Sequence, residues 1–275
     1  MKRNLKLQLW ELFGVQSFSF GTVPKASALD SKITIETNSI MKNCPICGWE
    51  GEEFLPCNPN FAHDDSRQLA THCKCPTCHS HHRHRGYMLI LQTFNLPKTN
   101  TSLLHVAPEP FLNNYFKQRA SQYTIIDKNP DKYEKDYETV IEMDLTALTF
   151  ANNRYDFIYC SHVLEHIPND KKAISEIYRV LKPGGIAMLT VPIYPLEKTA
   201  DLYPKSPDIM THVHQPGLDY FKRYEKAGFS VNVYYPENLF DKEKYGLRTG
   251  WDPVALCHKS KNPLMLLLRQ YKALT

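Results

Sequence analysis

Short apolar runs recur along the middle of the chain and are separated by longer amphipathic stretches. The runs predict strands at 102–107, 122–127, 139–143, 155–160, 186–191, 229–235 and 253–258. The stretches between them predict helices, so strands and helices alternate. This alternation predicts an α/β fold with a mostly parallel sheet that helices cover on both faces.

The clearest of the predicted helices spans residues 170–182. Its apolar positions follow i, i+3, i+4 and i+7 and share one face: Ile174, Ile177, Tyr178 and Leu181. Asn169 or Asp170 is expected to cap its start, and the sequence Pro-Gly-Gly at 183–185 is expected to end it.

The pattern divides the chain into three parts. Residues 1–40 show no clean period and predict a loosely ordered extension. Residues 41–86 are rich in cysteine and turn residues, with too little apolar content to fold without a bound metal. Residues 87–275 carry the alternating pattern and end in a short apolar tail at 261–275.

Two C-x-x-C pairs lie in the second part of the chain. These pairs can present four thiolates tetrahedrally to one structural zinc ion, and the predicted ligands are Cys44, Cys47, Cys75 and Cys78. Gly48 suits the tight turn that such a site needs. Cys57 and Cys73 are spare, and either one is an alternative ligand.

Composition narrows the possible environments of the protein. The chain has 275 residues, 42% of them hydrophobic, and a net charge of +4, which is too small to indicate nucleic-acid binding by itself. No apolar run reaches the ~20 residues needed to cross a bilayer, so no membrane insertion is expected. Gln8, Glu11 and Gln16 interrupt the N-terminal apolar stretch and argue against a signal peptide. Together with thiolate ligands, this predicts a cytoplasmic protein.

Polar residues follow the first four predicted strands. In a parallel sheet, ligands bind where the strands end, and these ends carry His105-Val106-Ala107, Asp127, Asp144-Leu145 and Cys160-Ser161-His162. An acid after the second strand is placed to bind ribose hydroxyls, and a second acid can accept from an adenine amino group. The pattern predicts an adenosine-containing ligand, while the absence of a GxxxxGK[ST] sequence argues against a nucleoside triphosphate.

Two longer motifs carry a resemblance to a known family. YDFIYCSHVLEHIPND at 155–170 and RVLKPGG at 179–185 resemble the class I S-adenosylmethionine-dependent methyltransferases, over about residues 101–235. With the cysteine module, RHR at 83–85 and HVAPEP at 105–110, the chain resembles a subgroup that lacks the usual glycine-rich cofactor loop. The resemblance implies a Rossmann-like seven-stranded methyltransferase sheet with an antiparallel last strand, beside a small N-terminal zinc-binding module.

The resemblance also implies which residues bind S-adenosylmethionine. They are His105, Ala107, Glu109, Asp127, Asp144, Leu145, Ser161 and His162. Family members usually carry an acid at His105, which holds the cationic amino group of the methionine moiety, and glycines at Ala107 and Glu109. Glu109 is the candidate replacement for the missing acid. The alternative is that Glu109 only occupies a favourable position at a helix N-terminus.

Histidines supply the candidate catalytic groups. Methyl transfer from a sulfonium requires mainly a positioned and desolvated acceptor, and a base only when the acceptor loses a proton. The candidate bases are His162, His166 and His212, with His214 in the same segment as His212. That segment, THVHQPGLDYFKRYEKAGF at 211–229, resembles the substrate-side region of the subgroup.

The acceptor is less well defined by the sequence. The basic segment 71–87, THCKCPTCHSHHRHRGY, is consistent with three roles: binding nucleic-acid phosphate, binding an anionic small molecule or glycan, or joining the zinc module to the catalytic domain. Its single aromatic residue, Tyr87, disfavours base stacking. The sequence therefore predicts a methyltransferase for a small-molecule or glycan acceptor. The alternatives are an RNA methyltransferase and a non-catalytic scaffold.

Overall fold

A computed structural model describes residues 40–57, 73–133, 137, 139–204 and 211–262. The expectations for residues 1–39 and 263–275 lie outside this described part. No helix in the described ranges combines the length and the apolarity needed to cross a membrane.

The strands of the described residues vary from short pairs to long central strands. In chain order they are β1 (Lys42–Asn43), β2 (Glu50–Gly51), β3 (Thr101–Val106), β4 (Ala120–Asp127), β5 (Ile141–Glu142), β6 (Tyr155–Ser161), β7 (Leu181–Thr190), β8 (Ala200–Asp201), β9 (His214–Gln215), β10 (Ser230–Tyr234) and β11 (Val254–His258). The α-helices are α1 (His82–Thr93), α2 (Pro110–Lys117), α3 (Asp170–Val180), α4 (Phe221–Lys226), α5 (Pro236–Leu239) and α6 (Lys242–Tyr245).

Seven strands form one sheet in the order β10-β11-β7-β6-β3-β4-β5. The strands from β3 to β7 pair in parallel, whereas β11 is antiparallel to both of its neighbours. Each of the seven predicted strands is present, with ends that differ by a few residues. The Rossmann-like methyltransferase sheet and its antiparallel last strand are therefore confirmed.

The two faces of the sheet are both buried, as a parallel sheet requires. Neighbouring residues of a strand point to opposite faces. Leu103 and Phe157 pack on the side of α1 and α2, and Leu104 and Ile158 pack on the side of α3. The continuous apolar runs of β3 and β6 follow from this burial on both sides.

Helix α3 forms where its apolar period predicts. Ile174 and Ile177 are fully buried, and the Asn169 side chain accepts a hydrogen bond from the Lys172 N–H at 3.2 Å, which caps the start. The helix ends at Val180, two residues earlier than expected, and β7 follows at once. The Pro-Gly-Gly sequence lies inside β7, where a shift in register and the left-handed φ of Gly184 (+84°) form a bulge.

The cysteine-rich part packs directly on the sheet domain. Helix α1 crosses the predicted boundary between residues 86 and 87 and buries Tyr87, Ile90 and Leu91. Arg85 is fully buried in the same helix, and it donates to the carbonyls of Cys73, Ser80, Tyr245 and Gly246. This side chain therefore connects the cysteine-rich part to residues near the C-terminal end of the chain.

Candidate cofactor site and cysteine cluster

A cavity of about 550 Å³ lies at the carboxyl ends of the parallel strands. Five of the predicted cofactor residues line it: Ala107, Asp127, Asp144, Leu145 and His162. Lys128, Lys132 and Asn169 also line it and were not predicted as cofactor residues. They follow strand ends or precede α3, so their position at the carboxyl ends of the parallel strands was the signal that could have identified them.

Asp127 ends β4 and is 7% exposed. Its carboxylate accepts from the Asn129 N–H at 2.7 Å and from the Tyr133 hydroxyl at 2.9 Å, and Lys132 Nζ lies 3.0 Å away. A carboxylate offers about four lone-pair sites, so these contacts leave room for further donors. The Asp127 side chain is therefore fixed at the cavity wall and able to accept from a ligand.

Asp144 follows β5 and is more exposed than Asp127. One oxygen accepts from both the N–H and the hydroxyl of Thr146, at 2.8 and 2.7 Å, and the other lies 3.3 Å from Lys128 Nζ. The Thr146 hydrogen bonds lower the pKa of this carboxyl below its usual value. Asp144 is thus an ionised acceptor on the same cavity as Asp127.

The loop after β3 adopts a left-handed turn without glycine. Ala107 has a φ of +49°, and its N–H donates to the Ile126 carbonyl at 2.9 Å. This conformation costs an alanine roughly 1–2 kcal/mol. The chain therefore keeps a sharp turn at the cavity although a residue with a side chain occupies it.

Replacing Ala107 by glycine is expected to raise the free energy of unfolding by up to ~1 kcal/mol, because relief of strain exceeds the added chain entropy. The matched control is Ala173→Gly inside α3, which should lose at least about 1 kcal/mol. Urea unfolding of both variants measures the difference. Equal losses in the two variants would contradict the strain at Ala107.

His105 lies under this loop and does not line the cavity. It is fully buried, and burial lowers its pKa to about 3, so the ring is neutral. Its Nε2 accepts from the Glu109 N–H at 3.3 Å, and Nδ1 lies 2.7 Å from the Tyr123 hydroxyl. His105 was expected to bind the cofactor, whereas the structure places it beneath the loop, which it supports.

Glu109 precedes α2 and is held by groups from α1 and β6. Its Oε1 lies 3.0 Å from His84 Nε2 and 3.8 Å from Arg83, and its Oε2 accepts from the Tyr159 hydroxyl at 2.7 Å. The His84 Nδ1 accepts from the His81 N–H at 3.0 Å, so the neutral ring donates to Glu109 through Nε2.

Electrostatics keep Glu109 ionised. Burial alone would raise the pKa of this carboxyl, but His84, Arg83 and the Tyr159 hydroxyl together lower it well below its usual range. Glu109 does not line the cavity. Its Oε1 contact joins the loop to helix α1 and its Oε2 contact joins it to strand β6, and its role towards the methionine moiety remains a prediction.

His162 directly follows β6 and has a left-handed conformation, with a φ of +51°. Its Nε2 lies 3.1 Å from the Tyr87 hydroxyl, and its Nδ1 lies 3.2 Å from Glu165 Oε1. Glu165 is fully buried, and neither of its oxygens makes a hydrogen bond of good geometry within the described residues. Strained backbone of this kind clusters at functional sites.

His166 and His212 come together although they are distant in the sequence. Their ring centroids lie 4.8 Å apart, and each offers a nitrogen within 4.8 Å of a Glu165 oxygen. His166 lines the cavity, and His212 Nδ1 lies 2.8 Å from the Tyr194 hydroxyl. The three candidate bases therefore surround one buried carboxylate. His214 lies apart, with its Nδ1 2.7 Å from Asp201.

Ser161 and Asp252 are two further residues to be placed relative to the cavity. Ser161 is buried and does not line the cavity. Asp252 was not predicted, yet it lies 3.0 Å from His82 and 3.8 Å from His162. Because β11 is antiparallel, the residues before it lie at the same sheet edge as the ends of the parallel strands. That direction was the signal that could have identified Asp252.

The basic segment is largely inside the protein. His82, His84 and Arg85 are buried, and Arg83 has only 28% of its side chain exposed beside Glu109. Among the described residues of this segment, Arg85 joins the cysteine-rich part to the rest of the domain.

The four predicted zinc ligands converge. The Sγ atoms of Cys44 and Cys78 lie 3.7 Å apart, those of Cys47 and Cys75 lie 3.6 Å apart, and all four lie within 4.8 Å of one another. Four sulfurs at about 2.3 Å from one zinc ion would lie about 3.8 Å apart in a regular tetrahedron. The donor set and its spacing fit zinc.

The backbone adopts the same turn after both C-x-x-C pairs. Gly48 and His79 each follow the second cysteine of a pair, have left-handed φ values of +76° and +58°, and donate to the carbonyl of the first cysteine. Burial lowers the pKa of Arg85 to about 10, and the negative charges of the nearby cysteines oppose this shift. The buried guanidinium thus suits a neighbouring anionic cluster.

Cys57 and Cys73 do not join the four-cysteine cluster. The structure pairs them as a disulfide close to His81. Neither one therefore replaces a predicted ligand.

Part of the region around the cavity is similar to known proteins. Residues 110–189 match the family Methyltransf_11, described as a methyltransferase domain. The chain is 43% identical over 126 residues to the ubiquinone/menaquinone biosynthesis C-methyltransferase UbiE of Hydrogenovibrio crunogenus. This match covers 44% of this chain and 47% of that protein. It is 29% identical over 113 residues to 2-methyl-6-phytyl-1,4-hydroquinone methyltransferase 2, chloroplastic, of Oryza sativa subsp. japonica. That match covers 38% of this chain and 31% of the rice protein.

The chain thus spans less than half the length of each of these relatives. Among solved structures, an S-adenosylmethionine-dependent methyltransferase from Mesorhizobium loti is 13% identical with a TM-score of 0.48, over 63% of this chain and 98% of that one. The matched region 110–189 contains Asp127, Asp144 and His162. Residues 110–189 are therefore similar to a methyltransferase domain, and this region supplies acidic residues and a histidine of the cavity.

Proposed function

We propose that the protein is an enzyme that transfers a methyl group from S-adenosylmethionine to an acceptor. The observation that carries this proposal is the meeting of Asp127, Asp144 and His162, from the ends of three strands, at one cavity. The match to a methyltransferase domain over residues 110–189 supports it.

In the proposed complex, each wall of the cavity would hold a part of the cofactor. Asp127 would accept from the ribose hydroxyls, and Asp144 with Leu145 would receive the adenine. The left-handed turn at Ala107 would let the backbone approach the methionine moiety. The donor is already activated as a sulfonium, so the protein contributes mainly alignment and exclusion of water.

The histidine–carboxylate cluster is on the proposed acceptor side. Glu165 lies next to His162 and, with His166 and His212, forms a compact group. A carboxylate that orients a histidine is a common arrangement for a general base. The cluster would remove a proton from a hydroxyl acceptor and would only position an acceptor that needs no deprotonation.

The four-cysteine cluster is proposed to hold a structural zinc ion. Four protein ligands leave no open position on the metal, which is typical of structural rather than catalytic zinc. The thiolates require a reducing compartment, for which the cytoplasm is proposed. With the HVAPEP loop, this module would define the subgroup to which the chain belongs.

A small-molecule or glycan acceptor is favoured over RNA. Burial of His82, His84 and Arg85 keeps three of the basic residues of this segment away from a phosphate backbone. The names of the matched relatives include hydroquinone and sterol methyltransferases, which also point to small acceptors. Acceptor binding that resists added salt would support this class, and a steep loss with salt would favour RNA.

Asp127→Asn is expected to weaken binding of S-adenosylhomocysteine about ten- to hundredfold. The amide replaces one acceptor oxygen with a donor, so one ribose hydroxyl loses its partner at a cost of about 1–3 kcal/mol. Asp144→Asn should cost less, because this side chain is 43% exposed and is expected to make a single contact. Calorimetric titration of both variants gives the ranking.

Melting temperatures of the two variants control for effects on folding. If Asp127→Asn binds as the wild type does while Asp144→Asn fails, the proposed orientation of the cofactor is wrong. If the wild type releases no heat with S-adenosylhomocysteine, a non-catalytic scaffold becomes the better account.

A further inference from the structure

A second cluster of metal-binding side chains lies beside the four-cysteine cluster. Cys57 and Cys73 converge on His81, whose Nδ1 lies 3.8 Å from each sulfur. The ligand atoms of these three residues lie within 4.8 Å of one another. A sulfur and an imidazole nitrogen bound to one tetrahedral zinc ion would lie about 3.6 Å apart. The spacing is therefore close to that of a shared metal.

His82 offers a fourth donor on the same side. Its Nδ1 lies 3.8 Å from the Cys73 sulfur, and its Nε2 lies 3.0 Å from Asp252 Oδ2. This close contact lacks the alignment of a hydrogen bond, but it places the carboxylate against Nε2 and leaves Nδ1 facing the sulfur. This carboxylate–histidine arrangement is the usual outer shell of a protein metal site.

The backbone holds these residues in place. Cys73 donates its N–H to the Leu55 carbonyl at 2.9 Å and accepts from buried Arg85 at 3.0 Å. Lys74 forms isolated bridges to both Leu55 and His81, so the chain segments that carry Cys73 and His81 are paired. The geometry is thus built into the fold.

We propose that Cys57, Cys73 and His81, with His82 as the fourth donor, form a second zinc site. This site becomes able to bind zinc when the Cys57–Cys73 disulfide is reduced. A dithiol reductant supplies two electrons and two protons, the S–S bond breaks into two thiols, and the dithiol closes to its own disulfide. Zinc binding then forms two Zn–S bonds and releases the two thiol protons to solvent.

The position of the site connects it to the cavity. Zinc on His82 would fix this ring against Asp252, and Asp252 lies 3.8 Å from His162 at the cavity. The disulfide form leaves His82 without this constraint. The cluster is accordingly a redox-gated metal site next to the proposed acceptor side.

The test uses the full chain and elemental analysis. Protein with the intact disulfide is compared with protein that has been reduced by a dithiol without oxygen, incubated with Zn²⁺ and desalted. We expect a gain of one zinc ion per chain on reduction in the wild type. The variants Cys57→Ser/Cys73→Ser and His81→Ala should show no gain, and His81→Ala still permits the disulfide.

The matched control is Cys160→Ala/Cys257→Ala, which removes two buried thiols outside both clusters and should keep the gain. If this double variant does not fold, either single variant serves. No gain in the reduced wild type would overturn the proposal and leave the pair as a plain disulfide. A gain that persists in both His81→Ala and the double serine variant would overturn it too.

Discussion

Cys75→Ser is expected to remove the zinc ion from the four-cysteine cluster and to unfold the surrounding module. Binding of a structural zinc is worth about 10–16 kcal/mol in small zinc modules, and it is folding free energy there. Cys75 is fully buried, so the loss of its thiolate cannot be replaced by solvent without opening the cluster. Loss of the module should also release Arg85 from the carbonyls of Cys73 and Ser80, which lowers the stability of the whole domain.

Elemental analysis and limited proteolysis measure this effect. In protein with an intact Cys57–Cys73 disulfide, zinc should fall from one ion per chain to none, and residues 40–57 should become accessible to proteases. Cys257→Ala, at a buried cysteine in β11, is the control and should keep its zinc. Wild-type protein purified without any zinc would show that the cluster does not hold this metal.

Glu109→Ala is expected to lower the free energy of unfolding by about 3–5 kcal/mol. Removing this carboxylate leaves the Arg83 charge unpaired and takes the acceptor from the Tyr159 hydroxyl and the His84 N–H. Glu109→Gln should lose less, because its amide oxygen still accepts. Urea unfolding measures both, and exposed Glu197→Ala is the control, expected within about 0.5 kcal/mol of the wild type.

The pH dependence provides a second readout for Glu109. Its pKa is lowered in the folded protein, so its stabilising effect is complete above the unfolded value of about 4.3 and is lost as the pH falls below it. The difference in stability between wild type and Glu109→Gln should therefore shrink below about pH 4.3. A difference that is constant from pH 7 to pH 3.5 would mean that the charge of Glu109 is not responsible.

Local sequence patterns predicted much of the fold because the spacing of apolar residues reflects which side chains are buried. The seven strands of the sheet follow from apolar runs, α3 follows from its period, and the convergence of four cysteines follows from two C-x-x-C pairs. Asp127 and Asp144 line one cavity because strand ends converge in a parallel sheet. Each of these signals is carried by short stretches of the sequence.

Features that depend on distant contacts could not be read in this way. Glu109 was expected to face the ligand, and only the packing of α1 against the cofactor loop shows that His84, Arg83 and Tyr159 surround it. The pairing of Cys57 with Cys73 likewise depends on the backbone bridges around Lys74. The end of α3 at Val180 reflects the bulge in β7, which a helical period does not encode.

A crystal structure of the protein with S-adenosylhomocysteine would show whether the cavity binds the cofactor. We expect one ligand in the cavity of about 550 Å³, with its ribose hydroxyls on Asp127, its adenine beside Asp144 and Leu145, and its sulfur directed towards His162. Ligand bound at another surface, or a cavity that stays without ligand at saturating concentration, would contradict the proposal that this domain uses S-adenosylmethionine.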